Sequence, residues 1–390
     1  MLRRMTAPSR RDFLALVARA GAGAALIASL PPWARAARAA QAASSHAPTL
    51  IERNAYPEHW ETTVGALDGS TNTPRERFFV RSHFGAPTID ANDWRLEVTG
   101  LVRTPLSLTL AELRAMEPAA QSCVIECAGN GRGLFHLPNT AGTQWQRGAV
   151  GNAAWAGTSL AGVLARAGVA PEAKHVWFEC ADAAPLETVP RFARSIPIEK
   201  ATADVLLAHS MNGAPLPRLH GAPLRAIVPG WFGMASAKWV TRIRVEAEPS
   251  DNYFMVRGYR YVPPGGDPAT SPPVETLRIK SLITSPLAGA LVRAGRLDVR
   301  GFAWSGHEGV DRVQVSADGG TSWEIATLDP SAGPGAWRGF HAAVQVQPGK
   351  ATLMARATDG AGQAQPLEAP LNVGGYGNNS IHAVAVRAIA

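Results

Sequence analysis

The chain has 390 residues, of which 46% are hydrophobic and 18% are charged, a length and composition that suit two globular domains with full cores. Its formal net charge of +7 arises almost entirely from seven arginines within the first forty residues, so the rest of the chain is nearly neutral. Nucleic-acid binding, which calls for a clustered basic face, is therefore not expected.

The first forty residues have the pattern of a targeting segment. Arg10 and Arg11 form a twin-arginine pair, an apolar stretch follows, and small residues typical of a signal-peptidase site come after it. Arg19 interrupts the apolar stretch, which is too short to span a bilayer. We therefore predict a twin-arginine signal peptide at residues 1–40, export to the periplasm and no membrane span. Because this route carries folded proteins, the leader also points to a prosthetic group inserted before export.

Three cysteines, Cys123, Cys127 and Cys180, are an odd number for an exported protein, so at least one thiol is expected to stay outside a disulfide. Cys123 and Cys127 lie too far apart along one extended segment for an easy bridge. No Cys-x-x-Cys spacing occurs, which disfavours zinc ribbons, thioredoxin chemistry and covalently bound c-type haem.

Before the first cysteine, the segment from Arg77 to His83 alternates in the manner of a strand. Such a strand directs Arg81 and His83 to the same side, either into a site or towards solvent. The segment from Ser107 to Leu113 predicts a second strand that runs into a capped helix.

The segment from Ser122 to Leu134 presents one of the thiols. Val124 and Ile125 predict a strand that ends at Cys127, and the Ala-Gly-Asn-Gly sequence after it predicts a turn. Arg132 follows the turn directly, so a thiol, a guanidinium and open backbone N–H groups converge on a small volume. This arrangement suits a soft metal beside an oxyanion. A structural cysteine next to a glycine turn is the simpler alternative.

Four further elements follow in the first domain. The segment from Leu160 to Ala167 predicts a short amphipathic helix, and a strand from Val176 leads to Asp182, which would be a cap or a ligand. Lys200 to Ala208 predicts a turn of amphipathic helix, and Asn212-Gly213 predicts a tight turn.

The loop from Val228 to Trp239 carries glycines, Ser236 and Lys238. Backbone N–H groups and an ammonium make it a candidate phosphate cradle, although the Walker and Rossmann spacings are both absent. Prolines and glycines between Pro263 and Pro273 then mark a domain boundary. Beyond it, short alternating segments separated by turns predict a seven-stranded sandwich of immunoglobulin type.

Taken together, these residues resemble the sulfite oxidase family of molybdenum enzymes, from about residue 55 to the C-terminus. The stretch from Phe79 to His83 is similar to the family's first cofactor-contacting segment. Cys127 and Arg132 are similar to its metal-binding cysteine and to the arginine five residues on. The other matches, in family order, are Trp145, Asp182, His220 with Arg225, Ser236-Ala237-Lys238-Trp239 and Gly375-Tyr376-Gly377.

The resemblance implies an α+β fold, with a mixed α/β molybdopterin-binding domain at residues 50–270 and an all-β immunoglobulin-like dimerisation domain at residues 275–390. It implies that Cys127 ligates molybdenum, which one molybdopterin dithiolene also binds. It assigns catalytic roles to Arg81, Arg132 and Trp145, the arginines orienting an anion. The residues that it assigns to the cofactor are Phe79, Val80, Arg81, Ser82, His83, Asp182, His220, Arg225, Ser236, Ala237 and Lys238.

The activity implied by the resemblance is molybdenum-dependent oxygen-atom transfer, with a small sulfur oxyanion such as sulfite as the substrate. Because no haem or flavin domain is recognisable, electrons would pass to a separate periplasmic cytochrome c. The alternatives are a reductase of S-oxides or other oxo-anions on the same cofactor, and a non-catalytic binding protein. A homodimer is expected through the second domain.

Two positions depart from the family's pattern. A tyrosine stands in the family at the position of Phe192, and an arginine stands at the position of Gly374. Both departures fall in the substrate pocket and remove a hydrogen-bond donor and a positive charge. We therefore expect weak binding of sulfite unless another arginine compensates, the candidates being Arg191, Arg194 and Arg338.

Overall fold

The computed structural model describes residues 49–390 except positions 136, 138, 139, 185 and 187. The predicted twin-arginine leader at residues 1–40 lies outside the described residues. Within the described range, a mixed α+β domain with four short α-helices is followed by an all-β sandwich. No helix in this range is long and apolar enough to cross a membrane.

The first domain contains three sheets. Its strands are β1 (Leu50–Asn54), β2 (His59–Thr62), β3 (Val80–Arg81), β4 (Arg95–Gly100), β5 (Leu106–Thr109), β6 (Pro118–Glu126), β7 (Val150–Ser159), β8 (His175–Cys180), β9 (Ala193–Pro197), β10 (Leu206–Met211), β11 (Ala214–Pro215), β12 (Arg225–Ile227) and β13 (Val240–Glu246). Its helices are α1 (Leu110–Ala115), α2 (Leu160–Ala167), α3 (Ile198–Ala203) and α4 (Tyr253–Val256). The sheet orders are β1-β2-β3, β11-β10-β7-β6 with β12 on β10, and β5-β4-β13-β8-β9.

The second domain packs two antiparallel-rich sheets face to face. Its strands are β14 (Lys280–Ser285), β15 (Leu291–Arg293), β16 (Gly295–Trp304), β17 (Val310–Ser316), β18 (Glu324–Ile325), β19 (Thr327–Leu328), β20 (Arg338–Val346), β21 (Gly349–Asp359) and β22 (His382–Ile389). The sheet orders are β14-β16-β20-β19 and β15-β22-β21-β17-β18. The predicted sandwich is confirmed, but its described part has nine strands instead of the predicted seven. β15, β18 and β19 are strands of two or three residues, which are too short to show an alternating pattern.

Several local sequence signals form the predicted elements. Thr109 and Glu112 make a reciprocal capping box at the start of α1, with the Glu112 N–H donating to Thr109 Oγ1 at 3.0 Å. Helix α2 occupies the predicted residues and ends at Gly168, whose φ is 71°. Asn212 and Gly213 have φ of 51° and 74° and join β10 to β11 in the predicted tight turn.

Two predicted elements differ from the structure. The strand predicted from Arg77 to His83 is reduced to β3, because Arg75–Arg77 form a 3-10 turn after Pro74. The helix predicted from Lys200 to Ala208 ends at Ala203, and the apolar residues after it form β10, which pairs with β7 and β12. A short apolar run that is buried on both sides has no periodicity that separates a strand from a helix.

The main hydrophobic core crosses the boundary between the domains. Phe302, Trp304 and Trp337 of the sandwich belong to the same buried cluster as Val124 of β6 and Phe178 of β8. A second cluster fills the interior of the sandwich itself. The strand that leads to Cys127 is therefore supported by side chains from the second domain.

Candidate active site

Cys127 follows directly on the end of β6, as predicted. Its N–H donates to the Ala149 carbonyl of the neighbouring loop at 2.9 Å, and its own carbonyl accepts from the Asn130 N–H at 2.8 Å. The chain turns at Gly131, whose φ is 89°, before the 3-10 turn Arg132–Leu134. All three cysteines are free, and Cys127 is partly exposed whereas Cys123 and Cys180 are buried. The turn therefore presents one sulfur to the space beside it.

That space is a cleft that encloses about 680 Å³ of empty volume, including the open solvent at its mouth. Ten of the fourteen predicted site residues line it, although they come from widely separated parts of the chain. These ten residues are Phe79, Arg81, His83, Cys127, Asp182, His220, Arg225, Ser236, Ala237 and Lys238. The fold thus brings the thiol, three cationic side chains and two histidines to one cavity.

Buried hydrogen bonds hold two of the cationic side chains that line the cavity in place. Arg225 donates to the carbonyls of His220 at 3.0 Å and Ser236 at 3.1 Å. Lys238 Nζ donates to Ser82 Oγ at 3.1 Å. Gly221 lies between the two cations with a φ of 110°, and a Cβ there would come within 3.0 Å of the Arg225 Cβ. Glycine is therefore required at this position for the two cationic side chains to stand side by side.

The electrostatics of the cavity favour an anionic ligand. Burial, together with the charge of Arg225, holds the pKa of Lys238 well below its usual range, and burial lowers the pKa of Arg225 to about 10. Burial also raises the pKa of Asp182 to about 6, and this one carboxylate faces two cationic side chains. A bound anion would relieve the repulsion between Arg225 and Lys238.

Several buried polar atoms on the wall lack partners within the described part of the chain. They are Arg81 Nη1, Asp182 Oδ1 and Arg225 Nε. Because an unsatisfied buried polar atom costs about 1–3 kcal/mol, three of them around one cavity indicate that a ligand completes their hydrogen bonds.

Four predicted residues do not line the cavity. Val80 is buried behind it, and Ser82 acts through Lys238, which it positions. Trp145 is fully buried and packs near the His59 ring, with 5.9 Å between centroids. Trp145 therefore does not reach the cavity in which a substrate would bind.

Arg132 also lies outside the cavity wall, contrary to the expectation that it meets the substrate. Its Nε donates to the Gly374 carbonyl at 2.9 Å, and its Nη1 donates to the Thr143 carbonyl at 3.0 Å. The guanidinium lies 5.1 Å from the centre of the Tyr376 ring. Arg132 thus ties the turn after Cys127 to the C-terminal segment through its Nε, while its Nη1 donates to the Thr143 carbonyl.

Sequence reasoning missed the cavity residue Tyr259. It lies shortly after α4, far along the chain from Cys127, and its backbone has a φ of 54°. No pattern in the neighbouring residues indicates that it reaches the cavity. None of the three arginines proposed as compensating cations lines the cavity. Arg191 is exposed, Arg194 is buried beside Tyr259, and Arg338 donates to backbone carbonyls within the sandwich.

Acid should destabilise the fold, because several histidines are buried in the neutral form. Burial lowers the pKa of His220 to about 3, of His382 to about 3 and of His59 to about 4. Below pH 6.5 these histidines bind protons in the unfolded chain but stay neutral in the folded protein. The free energy of unfolding therefore decreases as the pH falls from 6.5 towards 4. Asp182 affects the pH dependence of stability in the opposite direction, because its raised pKa makes the folded state bind a proton at a higher pH than the unfolded state does.

The variant His382→Asn tests this acid sensitivity away from the cavity. The His382 Nδ1 accepts from the Ile283 N–H at 3.1 Å, and an asparagine oxygen can replace that acceptor. Between pH 7 and pH 5 the variant should lose about 2 kcal/mol less unfolding free energy than the parent. Urea unfolding at the two pH values measures the difference. Equal losses in both proteins would show that His382 takes up a proton in the folded state.

Comparisons with known proteins agree with this geometry. A family model described as an oxidoreductase molybdopterin binding domain matches residues 83–254, and one described as a Mo-co oxidoreductase dimerisation domain matches residues 271–389. The chain is 36% identical to mitochondrial sulfite oxidase of Mus musculus, over 88% of this chain and 66% of that protein. It is 33% identical to sulfite oxidase of Arabidopsis thaliana, over 87% of this chain and 94% of that protein.

A solved structure of a related protein also matches this chain. The sulfane dehydrogenase SoxCD of Paracoccus pantotrophus matches with a TM-score of 0.77 and 32% identity, over 86% of both chains. The chain spans slightly less than two thirds of the mouse enzyme, but nearly all of the plant enzyme. From the two family models and these relatives, the chain belongs to the sulfite oxidase family of oxidoreductases, which use a molybdenum–molybdopterin cofactor.

Proposed function

We propose that this protein oxidises sulfite or a closely related sulfur compound and passes the electrons to a separate cytochrome c. The observation that carries the proposal is the position of the Cys127 sulfur, which faces a cavity lined by Arg81, Arg225 and Lys238. Its relatives are sulfite oxidases and a sulfane dehydrogenase, which supports a sulfur compound as the substrate.

The residues present fit the cofactor. Cys127 offers a soft sulfur ligand of the kind that suits molybdenum. Arg225 and Lys238 place two buried cationic side chains on the cavity wall, as a pterin phosphate requires, and the neutral His220 lies beside them. Asp182 Oδ1 and Arg225 Nε, which have no partner among the described residues, offer an acceptor and a donor to a ligand in the cavity. When bound, the molybdenum cofactor supplies oxygen-atom transfer and accepts two electrons.

The protein's own groups would bind and orient the substrate. Arg81 Nη1 lies on the cavity wall without a partner among the described residues, and it is a donor for an oxyanion. Phe192 and Met234 line the same cavity and exclude water from it. In the overall reaction sulfite and water give sulfate, two protons and two electrons, and the electrons leave to the acceptor.

A sulfane sulfur compound is the second candidate substrate. The match to sulfane dehydrogenase covers 86% of both chains, and the apolar side chains of Phe192 and Met234 line the cavity. A substrate with less charge at its sulfur than sulfite would depend less on polar groups at these positions.

The cellular context is part of the proposal. We place the protein in the periplasm, exported through the twin-arginine leader at residues 1–40, where a cytochrome c is available as acceptor. We also propose a homodimer formed through the domain at residues 275–390, which the dimerisation-domain model supports.

Reduction of cytochrome c by the purified protein tests the proposed activity. Sulfite and thiosulfate, which carries a sulfane sulfur, are assayed side by side, and protein from cells grown with tungstate instead of molybdate is the control. We expect sulfite-dependent reduction that the tungstate protein lacks. Equal rates in both preparations, or turnover only of an S-oxide with a reduced dye as donor, would contradict oxidation of sulfur compounds at this cavity.

A further inference from the structure

Strand β9 carries a charged side chain on its buried face. Phe192, Arg194 and Ile196 occupy alternate positions along this extended segment, so their side chains point to the same face, and all three are buried. Phe192 lines the cavity, and Ile196 belongs to the main hydrophobic core. Arg194 therefore places a guanidinium at the boundary of cavity and core, where an apolar side chain would ordinarily pack.

The charge of Arg194 is not neutralised within the described part of the chain. The side chain is only 2% exposed. Its Nη1 donates to the Phe254 carbonyl at 2.6 Å, whereas its Nε has no hydrogen-bond partner among the described residues. It forms no salt bridge with a carboxylate of those residues. Because an unpaired charge in the interior is strongly unfavourable, a negative partner is expected nearby.

The guanidinium lies close to the wall of the cavity. It is 5.6 Å from the centre of the Tyr259 ring, which lines the cavity. The hydroxyl of Tyr259 lies 2.7 Å from Nε2 of His83, another lining residue. Burial and several neighbouring positive charges, that of Arg194 among them, hold the pKa of His83 well below its usual range. The charge of Arg194 is thus one aromatic ring away from the cavity and acts on its lining groups.

The interior position makes this charge effective at a distance. At a given separation two charges interact more strongly inside a protein than in water, and salt screens a buried charge much less than an exposed one. The cavity is already lined by Arg81, Arg225 and Lys238, and among its described lining residues Asp182 is the only acid. Arg194 adds a further positive charge without occupying space in the cavity. An anion bound there would supply the negative partner that Arg194 lacks.

We propose that Arg194 is a specificity-determining residue, whose buried charge raises the affinity of the cavity for a sulfur oxyanion from behind Tyr259 without touching that ligand. This inference rests on the proposed function and adds a residue to the same site. Direct contacts to the anion come from the groups that line the cavity, and Arg194 contributes its electric field. The Phe254 carbonyl, which accepts from Nη1, fixes the position of the charge.

Arg194→Gln in the molybdenum-loaded protein tests this inference, because glutamine removes the charge and keeps an N–H donor for the Phe254 carbonyl. We expect KM for sulfite and the dissociation constant of sulfate, measured by calorimetry, to rise roughly five- to twentyfold, as for the loss of one charge about 10 Å from an anion at the effective dielectric of a protein. The turnover rate should not change, since a field that acts on the anion throughout the reaction affects binding alone. The ratio of the two dissociation constants should be the same at about 0.05 M and about 0.3 M salt.

Three further variants separate the charge from the shape of the side chain. Arg194→Lys keeps a positive charge and should stay within about threefold of the parental constants. Arg194→Met removes the charge and the donor, and it should weaken sulfate binding as much as Arg194→Gln does. Arg191→Gln is the matched control, because Arg191 is exposed three residues earlier and does not line the cavity. It should change the dissociation constant of sulfate less than about twofold at about 0.3 M salt.

Four results would overturn the inference. Loaded Arg194→Gln and Arg194→Met variants with parental sulfate affinity, beside a parent that oxidises sulfite, would refute the role of Arg194 and leave the proposed function standing. An Arg194→Lys variant that loses as much affinity as Arg194→Gln would show that the shape of the guanidinium matters and not its charge. Neutral variants that lose molybdenum would show that the charge serves the cofactor. A loaded parent that neither binds sulfate nor oxidises sulfite would refute the proposed function, and this inference with it.

Discussion

Replacing Cys127 with serine should abolish sulfite oxidation and leave the fold in place. Serine preserves the size of the side chain and the backbone hydrogen bonds of the turn, including that from the Cys127 N–H to the Ala149 carbonyl at 2.9 Å. It exchanges a soft sulfur ligand for a hard oxygen in contact with the metal. We expect the turnover rate to fall more than about a hundredfold, with the thermal midpoint within about 2 °C of the parent.

Cys180→Ala is the matched control for that experiment. Cys180 is a free thiol that is buried in the main core and does not line the cavity. Its replacement should leave turnover and metal content unchanged and cost about 1 kcal/mol of unfolding free energy through the small cavity that it creates. Rates are compared per bound molybdenum. Parental turnover by Cys127→Ser would show that this cysteine is not the ligand of the metal.

Replacing Lys280 with methionine should destabilise the protein by about 3–5 kcal/mol. Lys280 of β14 and Glu126 of β6 form a salt bridge of 2.8 Å between the domains, with side chains only 4% and 3% exposed. The Glu126 carboxylate also accepts from Trp304 Nε1 at 2.8 Å and from Asn130 Nδ2 at 2.9 Å. The variant would leave this carboxylate buried without the ammonium that neutralises it.

The double variant Lys280→Met with Glu126→Gln removes both charges and should recover at least half of the lost stability. Glutamine keeps the size of the side chain and an acceptor for Trp304. Urea unfolding of the parent, both single variants and the double variant yields the coupling energy of the pair. Because Glu126 directly precedes Cys127, Lys280→Met should also reduce molybdenum content. Unfolding of Lys280→Met at the parental urea concentration would show that the pair does not stabilise this junction.

Local signals in the sequence were sufficient for the elements that position the cysteine. The strand end at Cys127, the end of helix α2 at Gly168 and the turn at Asn212 all depend on residues adjacent in the chain. In these places the side-chain and backbone preferences of a few neighbours decide the conformation. The ordered motifs then led to ten of the residues that line the cavity.

Contacts between distant parts of the chain could not be predicted in this way. Tyr259 reaches His83 across more than 170 residues, and the partner of Glu126 lies in the other domain. Arg132 follows Cys127 closely, yet its direction is decided by the carbonyls of Gly374 and Thr143. Such positions depend on tertiary packing, which the pattern of one segment does not contain.

The most direct test of sulfur oxidation at this cavity is the number of cytochrome c molecules reduced per sulfite consumed, with molybdenum quantified in the same sample. Oxidation of sulfite to sulfate releases two electrons, and each cytochrome c accepts one. We therefore expect about two reduced cytochromes per sulfite from a protein that holds about one molybdenum per chain. A protein with that molybdenum content that reduces no cytochrome c, with either sulfite or thiosulfate, would contradict the proposed activity.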